Sequence, residues 1–510
     1  MADLASLRLI LMSPRFSTRD LTQRTLKGAA WVGGASAVRL GLRVISVGVL
    51  ARLLTPQEYG IVAGALVAMD LAAMIYTLGL APTLIQRKEI MPAHVATALF
   101  SSLALAILAA AGMWVVAPWA ASLMRIPELA DVLRVFALLT PFGAFNTTAE
   151  ALLARNMEVR SVALRPLLSV IVAAFAVAIP MAYAGFGYWS LVSMQAAEIV
   201  ISVVVLGIAA RRYLVRPALS GKAFRDLWPT SLWFSINQPF VFAATNADKF
   251  LIARLLGAEA LGLYGRASFV TNTASNLFSN ITRLTTFPAM ALVQDDKARL
   301  GNALLVSLSL IAAITLPTIV FSIVFANEII GILLGPQWGA AVLPFAILMP
   351  ILYVRLGTRA LFVLFQARGK LHLAVVTHAL HASLLFLGVA IAAPHGLAAV
   401  CVAVLAVVGS VFIVLLIMVR KEIGVSMKSL AALHARPALF SSVLLITTAF
   451  VKSSGLSGYA SLATSLVGVL ALTLALLRIW PELVLPPIGI EFLRRLSGSL
   501  SARFRSYWGD

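Results

Sequence analysis

Arg39 and Arg43 stand four residues apart in "AVRLGLRVISVGVL", so a helix through them carries both guanidinium groups on one face. Guanidinium forks match the oxygens of a phosphate or carboxylate bidentately, and the chemistry on offer is capture of an anion. Gly33, Ala37 and Gly41 repeat the same spacing on another face, where small residues let a neighbouring helix approach closely. Two further arginines, Arg134 and Arg266, lie near the starts of apolar stretches and either meet the same anion or snorkel to headgroups. Asp70 and Glu198 are carboxylates in apolar surroundings: each is a charge partner for an arginine or a proton or sodium site. A polar line in "SLWFSINQPFVFAATNADK" holds Asn237, Gln238, Asn246 and Asp248, with Trp233 close by. Amides in such a place hydrogen-bond hydroxyl groups or fasten helices to each other.

The elements that must hold these groups are membrane helices. The chain has 510 residues, of which 61% are apolar and 12% charged, a balance no soluble globular domain shows. Stretches of about 20 apolar residues suffice to cross a bilayer core, and fourteen are predicted, among them 28–50, 60–82, 163–184, 188–209, 226–247, 260–282 and 340–362. The thirteenth, 437–454, is the weakest, because its strongly apolar part is short enough for a re-entrant or tilted segment. Pro239 is expected to kink the seventh.

The net charge of +20 sits mainly in the tails and in alternate loops, such as "RRYLVRPALSGKAFR" (211–225) and "RKEIGVSMK" (420–428). That is the positive-inside pattern, so both termini are predicted cytoplasmic and the basic loops face lipid headgroups rather than nucleic acid. The first 27 residues carry five basic residues around a short apolar run and read as a cytoplasmic tail, not a cleaved signal. A single cysteine, Cys401, excludes an intramolecular disulfide. His378 and His381 are spaced to share a metal, but no third ligand accompanies them and a structural role is expected.

"GVLARLLTPQEYG" (48–60) returns as "FLIARLLGAEALG" (250–262), with Ala51, Arg52, Leu53, Leu54 and Gly60 in register with Ala253, Arg254, Leu255, Leu256 and Gly262. Six spans separate the copies, an even number, so the halves share one orientation: a parallel repeat with a binding site expected near mid-depth. The predicted organisation is all-α: tail 1–27, a six-helix lobe 28–210, a basic linker 211–225, a second six-helix lobe 226–419, two additional helices 420–478 and a basic tail 479–510.

The stretch "LARLLTPQEYGIVAGALVAMDLAAMIYTLGLAPTLIQRKE" (50–89) resembles the opening of the Wzx-type oligosaccharide flippases. These form the polysaccharide-transporter branch of the multidrug/oligosaccharidyl-lipid/polysaccharide exporter superfamily. "ALLARNMEVR" (151–160), "AGFGYWSLV" (184–192), "NADKFLIARLLGAEALGLYGRA" (246–267) and "FQARGK" (365–370) agree in order and spacing, over roughly residues 25–420. The resemblance implies a bacterial inner-membrane protein that moves polyprenyl-pyrophosphate-linked sugar units from the cytoplasmic to the periplasmic leaflet, for exopolysaccharide, capsule or O-antigen assembly. A polysaccharide polymerase and other assembly proteins are then the expected partners, beside membrane lipids. On that expectation Arg39, Arg43 and Arg266 face the pyrophosphate, Asn237, Gln238 and Trp233 meet the glycan, and Asp70 and Glu198 couple transport to an ion gradient.

An enzyme is disfavoured, because the longest joints are short, no phosphate-cradling glycine loop is present, and "QDDK" (294–297) reads as a solvated turn. No cofactor is expected. A cation-drug antiporter of the same superfamily would want an acidic, aromatic cavity, whereas a peptidoglycan-precursor flippase shares the anionic logic and stays open.

Overall fold

The computed structural model describes residues 34, 38–291, 296–367, 372–454 and 457–479. The two predicted tails, apart from Ile479, lie outside the described residues, as do Gly33, Ala37, Gln294, Asp295 and the "RGK" of 368–370. The described residues form helices and contain no strand. In order these are α1 (38–53), α2 (Pro56–Thr77), α3 (Leu80–Gln86), α4 (Pro92–Met124), α5 (Leu129–Arg155), α6 (Val159–Val170), α7 (Trp189–Ala210) and α8 (Gly221–Ala291). There follow α9 (Lys297–Val324), α10 (Ala326–Leu333), α11 (Val342–Leu348), α12 (Ile351–Ala367), α13 (His372–Ala392), α14 (Leu397–Ile423), α15 (Met427–Ser453) and α16 (Gly458–Ile479). Among the described residues nine helices are long and apolar enough to cross a membrane, or ten if the pair Pro336–Leu348 and Ile351–Phe365, bent by 43°, is one broken span.

Local chemistry sets the boundaries. The Thr55 hydroxyl accepts from Glu58 N at 3.3 Å while Thr55 N donates to the Glu58 carboxylate at 2.7 Å, a reciprocal cap that starts α2 with Pro56 in its first turn. Asp296 accepts from Ala298 N at 3.0 Å and Arg299 N at 3.1 Å, so the described half of "QDDK" is the N-cap of α9. The end of α3 is closed from outside. The Arg155 guanidinium donates to the carbonyls of Leu84 at 2.8 Å, Ile85 at 3.3 Å, Arg87 at 2.5 Å and Lys88 at 2.9 Å.

One expectation is corrected. The thirteenth segment is not a short or re-entrant piece: α15 is one continuous helix of 27 residues, because the polar run before the apolar core, with His434 and Arg436, continues the same helix. In α8, 71 residues long, the residue outside helical dihedrals is Gly257 (φ 86°, ψ −178°), while Pro239 stays within them. Only glycine adopts that φ freely, so the turn between the seventh and eighth segments falls there. After α6 the helix widens to π geometry over Ile171–Ala178. Pro180 follows; it lacks an N–H and its ring crowds the carbonyl four residues back, which a widened turn relieves.

The contacts divide the protein into two compact units, one built from the described residues up to Gly265 with Leu333–Gln337, the other from Arg266–Ile332 and the described residues from Trp338 on. The first unit has a core of Leu80, Leu84, Ile90, Val95, Leu152 and Leu227 between α3, α4, α5 and α8. Within it the two copies of the repeated passage touch. A Cβ on Gly60 would collide with the carbonyl of Ala258, and one on Gly262 with the carbonyl of Pro56. Pro56 and Ala258 occupy equivalent places in the two copies, so the contact is the same in both directions.

Candidate functional site

In the first unit, α1 carries Arg39, half-buried, and Arg43, more exposed, one helical turn apart. From α7 comes Glu198, half-buried, whose carboxylate interacts electrostatically with Arg43, Arg39 and Arg165. Arg165 belongs to α6, and its Nη1 lies 2.9 Å from Oε2 of Glu150 on α5. Four helices thus bring together, among the described residues, three guanidinium groups and the carboxylates of Glu150 and Glu198. Such an assembly binds an oxyanion if its carboxylates yield to it. Arg165 was missed in the sequence although it lies within the 163–184 stretch, where the criterion that selected Arg39 would have found it.

A second polar group joins α2 and α8. Asp70 is hydrogen-bonded by the side chain of Asn246 and interacts with the Lys249 ammonium, which itself donates to Asn246 Oδ1 at 2.9 Å. The cation beside Asp70 is therefore a lysine one turn along α8 from the amide. Asn246 is buried, and so is Asp248, which accepts from the Tyr264 hydroxyl and from Lys249 N.

The remaining expected residues are placed as follows. Asn237 and Gln238 are half-buried on α8, two turns or more from Asn246, and the side chain of Trp233 lies outside the described residues. Arg266 opens the second unit, its guanidinium 5.1 Å from the centre of the Phe269 ring. Arg134 is an exposed partner of Asp131 at 2.9 Å, an ordinary surface pair at the start of α5. His378 lies against the ring of Phe362, and among the described residues no group of three His, Cys, Asp or Glu could hold a metal. Arg355 and Arg359 on α12 repeat the four-residue spacing of Arg39 and Arg43 in the second unit, and sequence reading passed over them too.

Beside the Asp70 group lies a cavity of about 640 Å³, walled by α2, α4 and α8 with Leu133 of α5. Its lining is apolar but for Asn246.

Residues 49–343, more than half of the chain, match the family model described as polysaccharide biosynthesis protein, and the chain belongs to that family. It is 27% identical over 332 residues to the succinoglycan biosynthesis transport protein ExoT of Rhizobium meliloti (strain 1021), covering 65% of this chain and 66% of that one. It is 23% identical over 330 residues to the lipopolysaccharide biosynthesis protein WzxC of Escherichia coli (strain K12), covering 63% of this chain and 66% of that one. The chain thus spans just under two thirds of the length of either relative. Among solved structures, the lipid II flippase MurJ in an inward closed conformation superposes with a TM-score of 0.69 at 13% identity, over 89% of this chain and 99% of that one, which shows a shared fold.

Proposed function

We propose that this member of the polysaccharide biosynthesis protein family is a flippase that carries polyprenyl-pyrophosphate-linked oligosaccharide from the cytoplasmic to the periplasmic leaflet of a bacterial inner membrane. Both termini face the cytoplasm in this reading, and the exported units feed exopolysaccharide, capsule or lipopolysaccharide assembly, with a polysaccharide polymerase downstream. The observation that carries it is the gathering of the guanidinium groups of Arg39, Arg43 and Arg165 around Glu198 and Glu150 on apolar helices. A charge at the centre of a span costs about 2.5–3.5 kcal/mol on insertion scales, and an anionic cargo gives three arginines a reason to be there. A cation-drug antiporter would need the opposite balance.

Arg39 and Arg43 hold the pyrophosphate bidentately, with Arg165 behind them, and Arg266 offers the same chemistry in the second unit. Asn237, Gln238 and Trp233 supply hydrogen bonds and a stacking face for the sugar. Asp70 and Glu198 are the sites at which protons or sodium ions couple to movement. No bond in the cargo is made or broken; the work is translocation.

The test is accumulation of lipid-linked oligosaccharide in a strain lacking the protein, complemented by wild type or by Arg39→Ala/Arg43→Ala at equal membrane abundance. Build-up on the cytoplasmic side that only wild type relieves supports both function and site. Relief by the double variant as well would remove the arginines from the mechanism. No accumulation at all would remove the flippase reading.

A further inference from the structure

We propose that the apolar cavity between α2, α4 and α8 is a seat for the polyprenyl chain of the cargo, with Lys249, Asn246 and Asp70 receiving the head-proximal end; this rests on the flippase reading above.

Shape is the first argument. The lining on α4 runs from Leu108 to Met124, roughly 24 Å of helix axis at 1.5 Å per residue. That is longer than one leaflet's hydrocarbon, about 15 Å, so the trough suits a chain longer than an ordinary acyl tail. Its floor is notched by small residues one turn apart: Ala68 and Ala72 on α2, Ala109 and Gly112 on α4, Ala243 and Ala247 on α8. Beside Gly112 an added Cβ would meet nothing, so the notch is open space. Notches about 4.5–6 Å apart along a helix match a chain that bears a methyl branch at each repeat unit. A straight acyl chain has nothing to put in them. Bulky neighbours form the rim, with Trp119 63% exposed and Leu108 67% exposed.

Chemistry at the rim is the second argument. Asn246 is part of the cavity lining and is also bonded to Asp70 and Lys249. An occupant therefore passes from a hydrocarbon wall to the amide, with an ammonium and a carboxylate bonded to it. The ammonium suits a phosphate oxygen of a cargo not yet passed to Arg39 and Arg43, and the amide suits a hydroxyl of the first sugar. Plain hydrocarbon would use none of these groups.

The experiment uses the full chain in nanodiscs with a polyprenyl phosphate bearing a photoreactive group at the far end of its tail, and with a phosphatidylglycerol bearing the same group on an acyl chain. Adducts from the polyprenyl probe are expected on the α4 and α8 walls, and unlabelled polyprenyl phosphate should compete them away. Filling the notches with Gly112→Leu or Ala243→Leu is expected to lower that labelling about tenfold, in line with the cost of a misfit methylene in an apolar pocket. Arg134→Ala, in an exposed ion pair outside the cavity lining, should label as wild type, and unchanged unfolding midpoints of the two Leu variants control for folding. Lys249→Ala should weaken labelling by polyprenyl phosphate while leaving labelling by uncharged polyprenol unchanged. Equal and uncompeted labelling by phosphatidylglycerol would overturn the proposal in favour of ordinary lipid contact. Adducts confined to other helices, with wild-type protein still translocating cargo, would overturn the seat and leave the flippase reading standing. Absence of both labelling and translocation would bring down the parent reading as well.

Discussion

Two arginine-rich places in the first unit use the same side chain to opposite ends. At the end of α5, Arg155 spends its donors on four backbone carbonyls at the close of α3, acceptors that are part of the chain and cannot leave. In the cluster of Arg39, Arg43 and Arg165 the counter-groups among the described residues include the carboxylates Glu150 and Glu198, which sit on side chains rather than on the backbone. Carbonyls at a helix end fix a guanidinium; side-chain carboxylates can turn away from it when a better acceptor arrives. The partners of an arginine, more than its burial, separate a structural clamp from the proposed binding group.

That contrast can be broken at both ends. The largest expected effect is on Arg39→Ala/Arg43→Ala: translocation of lipid-linked oligosaccharide in reconstituted vesicles should fall roughly 100-fold, the loss of two charge-assisted hydrogen-bond pairs, with thermal stability unchanged. Arg155→Ala should do the reverse. It leaves carbonyls at the end of α3 without their partner and should cost about 2 kcal/mol of stability, read as a lowered unfolding midpoint in detergent, while protein that remains folded still transports. If Arg155→Ala transports poorly at full stability, the division between clamp and binding group is wrong. Glu198→Gln should sharpen the picture with a smaller effect: removing one carboxylate frees the arginines, and inorganic pyrophosphate should bind a few-fold more tightly in titration calorimetry. Arg134→Ala, which breaks an exposed pair with Asp131, should change stability by less than about 0.5 kcal/mol and leave transport untouched.

Much of the fold was legible because bilayer thickness translates directly into a run length of apolar residues. The boundaries were less so. Residues 427–437 are polar enough to hide the first third of α15, since hydropathy reads only the part that meets lipid. The turn inside α8 depends on one glycine dihedral, which no composition window reports, while Pro239, the more conspicuous signal, is accommodated within the helix. Of the site, the pair Arg39 and Arg43 follows from helical periodicity alone. Its meeting with Glu198, Arg165 and Glu150 depends on how three other helices pack, and the pairing of Asp70 with Lys249 joins helices far apart in the chain. Arg155 stands in the sequence only as part of "ALLARNMEVR"; the carbonyls that occupy it are backbone atoms, invisible to any residue-type argument.

The contact between the two copies of the repeated passage has a mechanical consequence. Gly60 faces the carbonyl of Ala258 and Gly262 faces the carbonyl of Pro56, with no side chain interposed on either side. Side chains act as springs, changing rotamer to absorb a small displacement; bare backbone has no such compliance. The start of α2 and the stretch of α8 after Gly257 therefore meet like the teeth of a detent, seated or unseated with no soft travel between. Because equivalent atoms face each other in both directions, one methyl group added at either glycine would unseat the whole.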